Sequence, residues 1–276
     1  MKYECLIYKK LEGGVALITL NRPDRLNALS TQLQDELWKA LDEVEKDDEV
    51  RAMVFTGAHR TDGRPCFSAG ADLKEIADQP ERSSTGRGLA NLVRAMMDRG
   101  FEPHLAGVCS RLETMGKPSI AAVDGVCTAG GMELALSCDI RVASETAQMS
   151  DLHIKNLGSI GGAGVTTRLA RTIGPARAKE LMFTGEPING QEAVRIGLAN
   201  HVFPPDKLVE GAVALARKFA AMRPQALAMA KASMNAAMDM DMERALRFSY
   251  IGSAALPAAE GARAFAQKQP PPYTRK

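Results

Sequence analysis

Aromatic residues are scarce in this chain, 5% of 276 residues with a single Trp, and neither sign of charge prevails: 35 Lys and Arg face 33 Asp and Glu, a formal net charge of +2. The basic side chains are scattered, so there is neither a basic face nor a row of stacking platforms, and nucleic acid is not an expected partner. No uncharged run approaches the ~20 residues needed to span a bilayer, so no membrane association is expected. The N-terminal MKYECLIYKK alternates apolar and charged residues where a secretion signal would carry a continuous apolar core. The five cysteines (Cys5, Cys66, Cys109, Cys127, Cys138) form no CxxC pair and are odd in number. That speaks against a disulfide framework and for reduced, buried thiols in a cytoplasmic protein. Four histidines without ligand spacing give no metal site.

What is present is an ordinary globular composition, 45% hydrophobic and 25% charged, long enough for one large domain or a core with an appendage. Residues 3–8 and Val15–Leu20 alternate as a hairpin around Gly13-Gly14. Thr31–Lys46 reads as a helix with Leu33, Leu37, Leu41 and Val44 on one face, and with Thr31 and Gln34 at capping-box spacing. Strand, turn and helix then recur, which predicts an α/β fold of stacked β-β-α units with helices outside. From Pro205 onward strands stop. Leu208–Ala220, 224–238 and 242–255 read as helices rich in Ala and Met, a surface that calls for a partner copy. The predicted organisation is a core over 1–204, with an insert near 79–114, and a helical region over 205–276. The insert begins polar and becomes amphipathic at Leu89, Leu92, Val93, Met96 and Met97. His104 within it is read as an inert loop histidine.

Two segments carry the chemistry. In AAVDGVCTAGGMELALSCD (121–139) an apolar strand, Ser119–Val123, leads through Asp124-Gly125 to Ala129-Gly130-Gly131, which opens a helix. Small residues at a helix start leave amide N–H groups bare beneath positive potential, and Glu133 stands just inside. In CFSAGADLKE (66–75) another strand runs into the small residues 68–71, and Asp72 caps a second helix. Each unit can aim one backbone N–H at a common point, and two such donors on one carbonyl oxygen form an oxyanion hole. A plain alternative for Gly130-Gly131 is close helix packing.

FSAGADL together with AAVDGVCTAGGMELALSCD resembles the enoyl-CoA hydratase/isomerase, or crotonase, superfamily. Leu20-Asn21-Arg22-Pro23 through Asn27-Ala28-Leu29, the stretch 158–169, and Glu260-Gly261 with Phe265 and Lys268 are similar to further motifs of that family, in order over about residues 3–273. The resemblance implies a crotonase-like β-β-α spiral whose C-terminal helices join subunits as a homotrimer or a dimer of trimers. It implies an acyl-CoA substrate whose coenzyme A enters as part of the thioester, with no separate cofactor. The thioester oxygen would rest on the amides of Ala71 and Gly130, and the 79–114 segment would lie over the acyl group. Along the CoA arm it places Arg25 and Leu26, the carbonyls of Ala69 and Ala71 on the adenine amine, Asp72 at the turn and Lys74 near the nucleotide. Phe265 and Lys268 would reach in from a neighbouring subunit.

The resemblance makes Glu133 the first acid/base group. The second, normally a glutamate, is missing from 147–158. Counting from Ala147 puts His153 in its slot, counting back from Gly158 puts Ile154 there, and His153 is preferred. A histidine titrating near neutrality can take or give a proton, held by Asp151 or by Glu133. Gly161 stands where the family has proline, and Gly162 would offer its amide to the reacting water. The implied activity is hydration of a 2-enoyl-CoA by Glu133 and His153. Thioester hydrolysis, decarboxylation, C–C cleavage or acyl-CoA binding without catalysis are the alternatives.

Overall fold

The computed structural model describes residues 2–78, 104–271 and 273. The amphipathic stretch at 89–97 lies outside them. The chain opens with β1 (Leu6–Leu11) and β2 (Val15–Leu20), an antiparallel hairpin turned at Gly13 and Gly14. Helix α1 (Thr31–Lys46) follows, then β3 (Ala52–Gly57), β4 (Cys66–Ser68) and α2 (Leu73–Asp78). Next come α3 (Leu105–Thr114), β5 (Ser119–Val123), β6 (Val126–Thr128) and α4 (Gly130–Ser137), then β7 (Ile140–Ser144), β8 (Gln148–Ser150) and α5 (His153–Leu157). Helices α6 (Val165–Ile173), α7 (Pro175–Thr184) and α8 (Gly190–Arg195), strand β9 (His201–Phe203), and helices α9 (Leu208–Ala220), α10 (Pro224–Ala237), α11 (Met242–Ala254) and α12 (Ala259–Ala266) complete it.

The strands form a six-stranded sheet, β1-β2-β3-β5-β7-β9, and a three-stranded sheet, β4-β6-β8. Each of three successive units (β3/β4, β5/β6, β7/β8) gives one strand to each sheet, and all those pairings are parallel. A parallel sheet covered on both faces needs apolar residues at consecutive positions, and β3 and β5 supply them. Met53, Phe55, Ala121 and Val123 point into the main core with α1. Ala52, Val54, Ile120 and Ala122 point the opposite way, into a second core closed by Leu208, Ala212, Val213, Ala216 and Ala220 of α9. The helical region that starts at 205 is therefore not uniform. Its first helix seals the large sheet, while α10 to α12 lie outside with Met234, Met242, Leu246 and Ile251 exposed.

Helix α1 buries the expected face, Leu33, Leu37, Leu41 and Val44, but its cap differs from the capping box read at Thr31 and Gln34. Ser30 is the N-cap, its hydroxyl accepting from the Leu33 amide, because Ser30 is the last residue in extended conformation. Gln34 instead ties two elements together, donating to the Leu29 carbonyl and accepting the Leu105 amide at the start of α3 (2.7 Å). His104 is exposed at the N-cap of α3 and makes no side-chain cap.

Candidate active site

The two strand–turn–helix units meet. A Cβ added to Gly130 would lie 3.3 Å from the Ala71 amide nitrogen, and one added to Gly70 would lie 2.8 Å from the Gly130 amide nitrogen. Leu29 runs alongside as a bridge partner of Ala71, its amide donating to the Gly70 carbonyl. Leu29 and Leu105 supply the apolar contacts around Gly130. Among the described residues neither the Ala71 nor the Gly130 amide donates to a backbone carbonyl. The residue before Gly130 shows how the chain is forced into place: Ala129 has φ 50° and ψ −119°, a conformation that costs an alanine roughly 1–3 kcal/mol. The two glycines of the pair do different work. Gly130 faces Ala71, Leu29 and Leu105, whereas a side chain on Gly131 would strike the carbonyl oxygen of Ser68 on β4. Backbone contact thus excludes a side chain at Gly131, whereas at Gly130 the neighbours lie at 3.0–3.3 Å and one of them is the Ala71 amide.

Glu133, on the first turn of α4, is 2% exposed. Its Oε1 accepts the amides of Ala163 (2.7 Å) and Val165 (3.2 Å) at the start of α6. Burial pushes the carboxyl above the usual carboxylate range, against the pull of the Val165 amide, the nearby His153 and the Ala163 amide. The amides that meet Glu133 come from either side of Gly164. Gly162, expected to offer its N–H to water, is exposed on the preceding loop.

His153 is buried at the first position of α5. Its backbone N–H and its ring Nδ1 both meet Oδ1 of Asp151, at 3.0 and 2.6 Å, so Asp151 is the carboxylate that holds it. Burial alone would lower the imidazole pKa. The hydrogen bond and charge of Asp151, then the charge of Glu133, outweigh it and raise the value. Ile154, the other occupant considered for the slot, packs against the main core. Glu133 and His153 border one another at Gly161: a Cβ there would collide with Glu133 Oε1 and come within 2.8 Å of His153 Cε1.

The description "Enoyl-CoA hydratase/isomerase" belongs to the family whose profile matches residues 10–276. The chain belongs to the enoyl-CoA hydratase/isomerase family. It is 39% identical to the short-chain-enoyl-CoA hydratase of Clostridium acetobutylicum over 86% of this chain and 84% of that protein. It is 38% identical to the mitochondrial enoyl-CoA hydratase of Pongo abelii over 97% and 87%. The crystal structure of an enoyl-CoA hydratase from Bacillus anthracis superposes with a TM-score of 0.83 at 33% identity, covering 99% of this chain and 100% of that one. The fold is therefore the crotonase-like α/β spiral with a helical C-terminal region.

Of the eight residues that the resemblance assigns to coenzyme A, Arg25, Leu26, Ala69, Ala71 and Asp72 gather along one edge. The Leu26 carbonyl accepts the Ala69 amide (2.9 Å), which brings Arg25 and Leu26 beside Ala69 and Ala71. Leu26 has φ 53° and Asn27 φ 50°; the buried Asn27 side chain holds this bend, accepting the Arg22 amide and donating to the carbonyls of Ala58 and Cys66. Asp72 accepts the Glu75 amide at the start of α2, as a cap should, and pairs with Arg22 at 2.9 Å. Lys74 is exposed on α2. Phe265 and Lys268 are exposed on and just beyond α12, and no hydrogen bond or ion pair among the described residues joins them to that edge. Sequence reasoning missed Arg168 of the family-like 158–169 stretch. Its guanidinium bonds both oxygens of Glu113 on α3 (2.5 and 2.6 Å) and also the Ala163 carbonyl, fixing the loop that feeds Glu133 its amides.

No described helix is long and apolar enough to cross a membrane, and no described cluster of His, Cys, Asp and Glu could hold a metal ion.

Proposed function

We propose that the chain is an enoyl-CoA hydratase acting on a 2-enoyl thioester of coenzyme A, with Glu133 and His153 as its acid/base pair. The observation that carries the reading is the convergence of those two buried side chains on Gly161, at the helix whose opening residue, Gly130, adjoins the Ala71 amide. The thioester oxygen accepts the Ala71 and Gly130 amides. Glu133, in its ionised form and hydrogen-bonded by the Ala163 and Val165 amides, takes a proton from water as the oxygen bonds to the β-carbon. The π electrons move toward the thioester, and the enolate rests on the two amides. His153, kept charged by Asp151, delivers a proton to the α-carbon and the carbonyl reforms. Glu133 is left protonated and His153 neutral, and proton exchange resets them. Coenzyme A comes with the substrate, so the reading invokes no separate cofactor.

The same reading includes a cytoplasmic protein, in keeping with five free and buried thiols, and a homotrimer or dimer of trimers joined through the exposed apolar side chains of α10 to α12. In that assembly Phe265 and Lys268 would complete a neighbour's CoA site. Arg25, Leu26, Ala69, Ala71, Asp72 and Lys74 form the CoA arm within one copy.

The test is loss of the enoyl absorbance of crotonyl-CoA. Glu133→Gln and His153→Ala should each slow it by about 10²–10⁴, the usual worth of a general acid or base. Wild-type rates in both would end the assignment. The Asp151-backed imidazole also suits a base for thioester hydrolysis. Release of free CoA thiol instead of hydrated product would move the reading there.

A further inference from the structure

His153 does not act alone in this fold, and its partner is unusual. Asp151 is fully buried and uses a single oxygen, Oδ1, for both the His153 amide and ring Nδ1. Its other oxygen, Oδ2, is buried with no hydrogen-bond partner among the described residues. Burying a carboxylate so incompletely bonded is costly unless a positive charge sits beside it. The nearest group able to carry one is the imidazole. The ring nitrogen bonded to Oδ1 must be an N–H, which leaves Nε2 as the nitrogen free to exchange a proton.

We propose that Asp151 is a positioning residue for the reaction: it fixes His153 in the orientation that frees Nε2 and keeps the ring protonated as the proton donor. This rests on the hydratase reading and assigns within it which member of the pair is the acid. The active charge state is then ionised Glu133 with charged His153. The rate rises with pH as Glu133 loses its proton and falls as His153 loses its own, so Asp151 governs the alkaline limb. The charges that act on the ring are Asp151 beside it and Glu133 from α4. Lys155 on α5 itself, and Arg177, Lys179 and Glu180 on the adjoining α7, are exposed and solvent-screened.

Asp151→Asn keeps an oxygen for the Nδ1–H and removes the charge. Loss of an opposite charge at this distance lowers a pKa by about 1–3 units, so the alkaline limb of kcat/KM should move acidward by that amount. The variant should be at least about tenfold slower at pH 8 and recover toward wild type near pH 6. A uniform loss at every pH, or an unmoved limb, overturns the proposal. Nitrogen-15 spectra of the unmodified full-length protein give a second measurement that needs no variant. A neutral ring protonated at Nε2, or titration of His153 at or below pH 6.5, also overturns it. These outcomes separate from failure of the hydratase reading, which is judged by Glu133→Gln and His153→Ala: inactivity toward enoyl-CoA leaves the tautomer and titration of His153 measurable.

Discussion

Two adjacent glycines should fail in opposite ways when each gains one methyl group. At Gly130 the added Cβ lands 3.3 Å from the Ala71 amide nitrogen, 3.3 Å from Leu29 Cδ1 and 3.0 Å from Leu105 Cδ2. The tightest neighbour is the end of a flexible side chain, so the fold can yield by a few tenths of an ångström. Replacing glycine within a helix returns about 0.5–1 kcal/mol of backbone entropy. Gly130→Ala should therefore melt within a degree or two of wild type. On the proposed reading, however, its methyl group occupies the space where the thioester oxygen would meet its two amide donors, and loss of one donor costs about 10²–10³ in kcat. At Gly131 the added Cβ strikes the Ser68 carbonyl oxygen, backbone that belongs to β4 and cannot move alone. Overpacking of that kind costs about 1–3 kcal/mol, several degrees of Tm for a chain of this size. Thermal melts paired with crotonyl-CoA hydration separate the two. The reasoning is refuted if Gly130→Ala retains the wild-type rate, or if Gly131→Ala melts at the wild-type temperature.

Arg168→Met should remove the link from Glu113 to the Ala163 carbonyl and leave Glu113 facing an uncharged neighbour. Glu113 is open enough to solvent to rehydrate, so loss of the pair costs about 1 kcal/mol, visible as a slightly lower denaturation midpoint, and the loosened loop should lower kcat more than it raises KM. The cysteines should be silent in the native state. Burial pushes the Cys66 thiol to about 11 and the Cys109 thiol to about 12, and raises Cys127 and Cys138 as well. A thiol-reactive disulfide reagent at pH 8 should label none of them rapidly and all five after denaturation. Fast labelling of a single site without denaturant would contradict the packing described here.

Much of the fold was legible because its long elements bury apolar residues at regular spacing. Val15–Leu20, Thr31–Lys46, Ser119–Val123 and Leu208–Ala220 have the limits their patterns predict. The three-residue strands β4, β6 and β8 are a different matter. Each is too short to show a period, and each exists because its neighbours pair with it. At the site, the tie between Asp151 and His153 spans two residues and can be read as a candidate from the letters. The acceptance of Ala163 and Val165 amides by Glu133 spans about thirty and cannot. No local pattern announces that a buried carboxylate will meet the first turn of a distant helix. Arg168 is hidden for the same reason, its partners lying on α3 and on the loop before its own helix.

His153 and Gly161, where the sequence differs from the motifs it otherwise resembles, face one another in the fold. They are eight positions apart in sequence, yet a side chain at 161 would run into Glu133 on one side and the imidazole on the other, with Val165 behind. An imidazole is a planar ring already tied at Nδ1, so it cannot swing aside to make room without giving up Asp151. Space has to come from the facing residue, and only glycine leaves enough. Glycine at 161 leaves room for the Glu133 carboxylate, Val165 and the imidazole together. On the proposed reading, the histidine takes the place of the missing glutamate rather than marking a decayed site. A decayed site would have no need to keep a buried carboxylate behind the ring, two amides on Glu133 and a cleared position between the two side chains, all at once.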